Sequence, residues 1–226
     1  MVDRPARRPR ALRAMPATGM DAWLASGVPA PLPLALEREC GLAADSGQGY
    51  LISLGSNEDP QTRIVTALSI LVRRHGALVV SRVYSTEAAG DQVGGPRFLN
   101  LAAYLRSFLS PAQLKAELQR MEIRLGRQRS ADGRPLPVSI DLDILAGPLD
   151  QARVLGDDGR ALDVPEFMQR PVHELLIALN ASRAPVPLAP GPCCELDLNG
   201  WRIGQQPVLL RTQGEQRITT AGPLVH

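Results

Sequence analysis

A chain of 226 residues with 44% hydrophobic content can bury a core in one domain, with or without extensions, although aromatics are only 4%. A formal net charge of +2 excludes general affinity for nucleic acid or an acidic membrane surface, and no run approaches the roughly 18 apolar residues of a membrane span. Three cysteines, Cys40 and the adjacent Cys193 and Cys194, form neither a disulfide framework nor a zinc spacing, which favours a reducing, cytoplasmic setting.

Residues 1–46 open with Arg4, Arg7, Arg8, Arg10 and Arg13 and then drift into proline and alanine. Pro29, Pro31 and Pro33 interrupt the one apolar candidate for a secretory signal. The segment reads as a disordered extension, or as sequence upstream of a start at Met15 or Met20. A folded domain is expected over 47–187, and a C-terminal extension over 188–226.

The first strand is expected at 49–54, closed by Gly55-Ser56-Asn57. A helix follows at 60–74, with Ile64, Leu68, Leu71 and Val72 at helical spacing. Residues 77–84 read as a second strand, 86–96 as a glycine-rich loop long enough to be functional, and 98–106 as a third strand. Ser110 is a good N-cap, Pro111 suits the first turn and Gln113 completes a capping box. Leu114, Leu118, Met121 and Leu125 then continue a helix that Gly126 stops. Gln119 and Glu122, three apart, share one flank of it.

Val138, Ile140, Leu142 and Ile144 alternate with Ser139, Asp141, Asp143 and Leu145, which predicts a strand with one apolar face. Asp141 and Asp143 then share the other face, roughly 7 Å apart at Cα. Adjacent carboxylates repel unless a cation lies between them, and hard oxygen donors suit Mg²⁺. The plain alternative is a solvated strand face. Arg127, Arg129 and Arg134 shift the balance, because arginine makes forked contacts with phosphate oxygens. The β-α-β-β-α-β order predicts an α+β, ferredoxin-like antiparallel sheet with both helices on one face and the other face open to ligand. Further on, an apolar helix is expected at 173–179 and a hairpin at Asn199-Gly200. Lys115 is the only lysine, a bias toward arginine that a GC-rich genome explains better than phosphate handling does.

Q-R-M-E-I-R-L-G-R-Q-R followed by I-D-L-D-I-L, with L-G-S-N upstream and F-L-N between, resembles the 6-hydroxymethyl-dihydropterin pyrophosphokinase family over about 50–187. The resemblance implies an enzyme of folate synthesis that moves the pyrophosphoryl group of ATP to a pterin alcohol. It implies that Asp141 and Asp143 hold two Mg²⁺ ions, and that Gln119, Glu122, Arg127, Arg129, Ile144 and Arg170 surround ATP. Thr86, Phe98 and Asn100 match pterin-site positions: Phe98 would stack on the ring and Asn100 would read its amide edge. Read without the resemblance, Phe98 is equally a core aromatic, and Arg127 and Arg129 simply favour the negative end of a helix.

The pattern also departs from the family. Val138 stands where an arginine is usual, Glu166 where a histidine is, Asp163 where a small hydroxyl residue is common, and Val172 where a second stacking aromatic is. The alternative is therefore a catalytically degenerate relative that binds pterin, nucleotide or a protein partner. A ferredoxin-like nucleic-acid binder fits poorly, because adjacent strand aromatics and a basic sheet face are missing.

Overall fold

Tyr50, Leu51, Ile52 and Leu54 are fully buried, as a strand with neighbours on both sides requires. In the computed structural model, which describes residues 47–88, 94–128, 136–149, 164–179, 193–213 and 217–223, β1 (Gln48–Ser56) pairs antiparallel with β4 (Phe98–Ser107) on one side and β5 (Asp141–Leu149) on the other. β2 (Ala77–Val80) and β3 (Tyr84–Thr86) both pair with β4. α1 (Pro60–His75) and α2 (Pro111–Arg124) complete the expected βαββαβ core. Tyr50, Ile52 and Leu54 meet Ile64, Leu68 and Leu71 of α1 and Leu114, Leu118 and Met121 of α2 in one apolar layer. The capping box at Ser110 is present: its hydroxyl accepts from Gln113 N at 3.3 Å, and Gln113 Oε1 accepts from Ser110 N at 2.9 Å.

The strand expected over 77–84 is broken at Ser81. Its Oγ accepts from Ala102 N at 2.9 Å while its own N–H donates to Ala102 O, so a side chain replaces a backbone carbonyl in the ladder. The strand expected from Val138 begins instead at Asp141. Asn57 holds the preceding segment: it accepts from Val138 N at 2.6 Å through Oδ1, and its own N–H donates to Val138 O at 3.0 Å. Ser56 Oγ donates to Ser139 O at 2.6 Å.

The face expected to be open is partly covered. α3 (Glu166–Leu179) begins seven residues before the expected helix and continues through Pro171. Met168, Val172, Leu175, Leu176 and Leu179 form its apolar stripe and pack on Leu51, Val79, Ala102 and Tyr104, on the side of the sheet opposite α1 and α2. β6 (Leu196–Leu198) and β7 (Trp201–Ile203) form a hairpin whose turn residues Asn199 and Gly200 have φ of 55° and 86°, as a primed two-residue turn requires. β8 (Val208–Gln213) and β9 (Arg217–Pro223) join the main sheet beside β2, giving the order β5-β1-β4-β2-β8-β9. Among the described residues no helix is long and apolar enough to cross a membrane.

Leu209, Leu210 and Ile218 are buried, so the last two strands belong to the core. Each such side chain stabilises by about 1.5–3 kcal/mol. A chain ending at residue 207 is expected to lose them, expose the edge of β2, and either melt well below the full chain or aggregate. Thermal unfolding followed by circular dichroism, with size-exclusion chromatography, checks this; an unchanged melting temperature would refute it.

Candidate active site

The register of four strands builds one row across the sheet: Tyr84 of β3, Asn100 of β4, Gly55 of β1 and Asp141 of β5. Directly paired residues share a face, and Leu142, between the two acids, lies in the α1/α2 layer. Asp141 and Asp143 therefore lie on the α3 side, where α3 leaves this end of the sheet uncovered. Three strand spacings separate Tyr84 from Asp141, roughly 14 Å. Gly55 and Ser53 form the floor between them.

The acidic wall is built by α2 reaching around the edge strand. Leu125, Gly126 and Arg127 form a Schellman motif: Gly126 has φ of 90°, Gly126 N donates to Ile123 O at 3.1 Å, and Arg127 N donates to Glu122 O at 2.9 Å. Arg63 Nη1 caps the adjacent Leu125 carbonyl at 2.8 Å. This turn aims Arg127 at Asp141, with Nη2 3.3 Å from Oδ1. The buried Glu122 carboxylate accepts from Leu142 N at 2.7 Å, directly between Asp141 and Asp143. Burial raises the Glu122 pKa, and the two neighbouring acids push the same way against the Leu142 and Arg127 contacts. Asp143 pairs with Lys115. Asp141 and Asp143 remain about half exposed, at 47% and 49%.

On the floor, Asn100 is buried and donates through Nδ2 to Thr86 Oγ1 at 2.7 Å. That bond turns Oδ1 over Gly55, where a Cβ would lie 2.6 Å from it. Phe98, partly exposed, leans toward the same glycine. The opposite wall is cationic. Arg82 and Arg170 lie 5.4 and 5.1 Å from the Tyr84 ring centroid. One carboxylate oxygen of Glu174 accepts from Tyr84 Oη and meets Arg82 Nη1 at 3.3 Å and Arg170 Nε at 3.7 Å. Arg82 also donates to the thiol sulfur of Cys193 at 2.7 and 2.9 Å. Burial raises the Tyr84 and Glu174 pKa values; the Glu174 hydrogen bond adds to the first, while Tyr84 and both arginines oppose the second.

Of the residues singled out from the sequence, Asp141, Asp143, Arg127 and Glu122 come together on one wall, and Thr86, Phe98 and Asn100 together on the floor. Arg170 stands on the far wall. Gln119 is exposed on α2, and Ile144 packs against the core layer, pointing away from the acids. Val138 is buried in the Asn57 clamp, Val172 is buried beneath α3, and Glu166 is exposed. Arg129, Arg134 and Asp163 lie outside the described residues. Lys115, Arg82 and Glu174 were not anticipated. Lys115 had a readable signal, since 115, 119 and 122 follow one helix flank. Arg82 and Glu174 had none, being 92 residues apart.

Fold and site together define an α+β protein whose antiparallel sheet displays a paired-carboxylate centre, flanked by arginine, at the open end of one face. Residues 51–175, more than half of the chain, match the family described as 7,8-dihydro-6-hydroxymethylpterin-pyrophosphokinase, and the chain belongs to that family. It is 40% identical over 101 residues to the 2-amino-4-hydroxy-6-hydroxymethyldihydropteridine pyrophosphokinase of Porphyromonas gingivalis, covering 42% of this chain and 65% of the relative. It is 38% identical over 100 residues to that of Bacillus subtilis, covering 42% and 56%, and 38% identical over 103 residues to that of Pseudomonas aeruginosa, covering 43% and 60%. The chain thus spans less than two thirds of the length of these curated relatives.

Two substitutions test the electrostatics. Glu122 has a folded-state pKa above its ordinary value of 4.5, so the unfolded chain releases this proton first as pH rises, and the charge destabilises the folded state from there upward. Glu122→Gln keeps an acceptor for Leu142 N and is expected to melt above wild type at pH 7, the difference vanishing near pH 4. Glu174→Ala removes the carboxylate facing the buried Arg82 and the part-exposed Arg170 and is expected to cost about 3 kcal/mol in urea unfolding.

Proposed function

We propose that the chain transfers the pyrophosphoryl group of ATP to the hydroxymethyl oxygen of 6-hydroxymethyl-dihydropterin, releasing AMP and the pterin diphosphate of folate biosynthesis. The observation that carries this reading is the pair Asp141 and Asp143, half exposed on one strand face and backed by Glu122 and Arg127, in a chain of this family. The fixed orientation of Asn100 supports its reading of the pterin amide edge, and the position of Phe98 beside Gly55 supports its stacking on the ring. Thr86 acts through Asn100.

The donor set fits Mg²⁺. Two carboxylates facing solvent supply hard oxygen ligands, and the remaining positions go to phosphate oxygens and water; among the described residues no group of three or more His, Cys, Asp and Glu side chains converges. Bound there, two Mg²⁺ ions would neutralise and align the triphosphate. The enclosed Nε of Arg127 has no hydrogen-bond acceptor among the described residues, which suits it to a phosphate oxygen. Arg129 and, from the far wall, Arg170 add cationic contacts, and Gln119 and Ile144 meet the nucleotide from the α2 side of β5. In the reaction the pterin hydroxyl oxygen forms a bond to the β-phosphorus and gives up its proton to solvent, and the bond from that phosphorus to the AMP oxygen breaks. Arg127 stabilises the charge in transit.

A second reading has one observation in its favour. Val172 is buried under α3, so this position offers the pterin no second stacking surface. A family member without turnover, retaining ligand binding, would accommodate that loss.

AMP released from Mg-ATP and 6-hydroxymethyl-dihydropterin separates the two. Turnover is expected in the wild type, with a loss of at least about 100-fold in Asp143→Ala, on the scale of removing electrostatic stabilisation of the transferred group. A folded wild type that makes no more AMP than this variant would overturn the enzymatic reading.

A further inference from the structure

The two acids are each paired with a cation, and the two cations are unlike. Arg127 is 20% exposed and its backbone is locked by the Schellman turn that ends α2. Lys115 is 42% exposed, on a flexible four-carbon stem, and its ammonium contacts Oδ1 of Asp143. That oxygen is one a divalent cation needs. An ammonium and a divalent ion cannot both hold it at contact distance without strong repulsion. A half-exposed ion pair is also weak enough to exchange.

Resting on the pyrophosphokinase reading, we infer that Lys115 is a displaceable counter-ion for Asp143. In the ligand-free protein it relieves the repulsion between Asp141 and Asp143 and holds the second carboxylate facing the trough. When the metal-nucleotide enters, Lys115 yields Oδ1 and moves to an anionic oxygen of the triphosphate, while Arg127 stays beside Asp141. The site thereby keeps its charge balanced before and after loading. Lys115 is a positioning residue under this scheme.

The single lysine makes the movement directly observable. Reductive ¹³C-methylation of the full chain preserves its charge and labels only Lys115 and the α-amine, with Lys115→Arg giving the assignment. The Lys115 signal is followed during titration with Mg²⁺ alone and then with Mg²⁺ and a non-hydrolysable ATP analogue. Calorimetry on unmodified protein measures the Mg²⁺ affinity in parallel. A saturable shift that tracks the calorimetric isotherm and is lost in Asp143→Asn is expected. Lys115→Gln is expected to bind Mg²⁺ about 3- to 10-fold more tightly without nucleotide, the scale of one opposing charge in a partly solvated site. If Mg²⁺ binds while the Lys115 signal stays still, or if Lys115→Gln leaves the affinity unchanged, displacement is overturned and the pyrophosphokinase reading stands. If calorimetry detects no Mg²⁺ binding with or without nucleotide, the metal site itself fails and this inference falls with it.

Discussion

The hydrogen bond from Leu142 N to the buried Glu122 carboxylate holds the site in register. Among the described residues β5 is an edge strand, and its outward N–H groups have no partner strand. Glu122 covers one of them from α2, at the residue between the two acids. Its backbone carbonyl also takes the Arg127 N–H that closes the helix. One residue therefore sets both the strand that carries the acids and the turn that carries their arginine. The arrangement places a third carboxylate behind the other two, which is why burial and like charge act together on Glu122.

The open end of the sheet exists because of two short-range exclusions. Asn57 and Ser56 take the backbone groups of Val138 and Ser139, so pairing with β1 starts only at Asp141. This joins the L-G-S-N stretch to the D-L-D stretch across more than eighty residues, as parts of one clamp. Gly55 then keeps the floor low enough for the Asn100 amide, which a β-carbon would displace. α3 packs its apolar stripe on Leu51, Val79, Ala102 and Tyr104 and reaches this row only at Tyr84, through Arg170 and Glu174.

What could be read from the sequence was what local periodicity encodes. The period of two put both acids on one face, and the capping box with Gly126 bounded α2 closely. The reach of α3 was obscured by Pro171, although the stripe from Met168 to Leu179 runs straight through it. A proline costs a helix one hydrogen bond and strains the preceding turn, and burial of five apolar side chains outweighs that cost here. The attachment of β8 and β9 to β2 depends on pairing across more than a hundred residues, for which short polar-rich strands carry no local signature. Arg82 and Glu174 were opaque for the same reason. Their charges are tolerated inside only because each finds the other, and a single sequence does not display such pairs.

The two walls of the trough differ in how firmly their charges are held. The far wall is the more buried: Glu174 is 4% exposed and shared by Tyr84, Arg82 and Arg170, so the loss of Glu174 removes a partner from all three. The acidic wall is half exposed, and its ion pairs are individually weak. Its cations are therefore the more readily exchanged of the two sets. Asn100 lies between the two, anchored by Thr86 and independent of either charge network. Its orientation therefore does not depend on how the charges beside it are arranged.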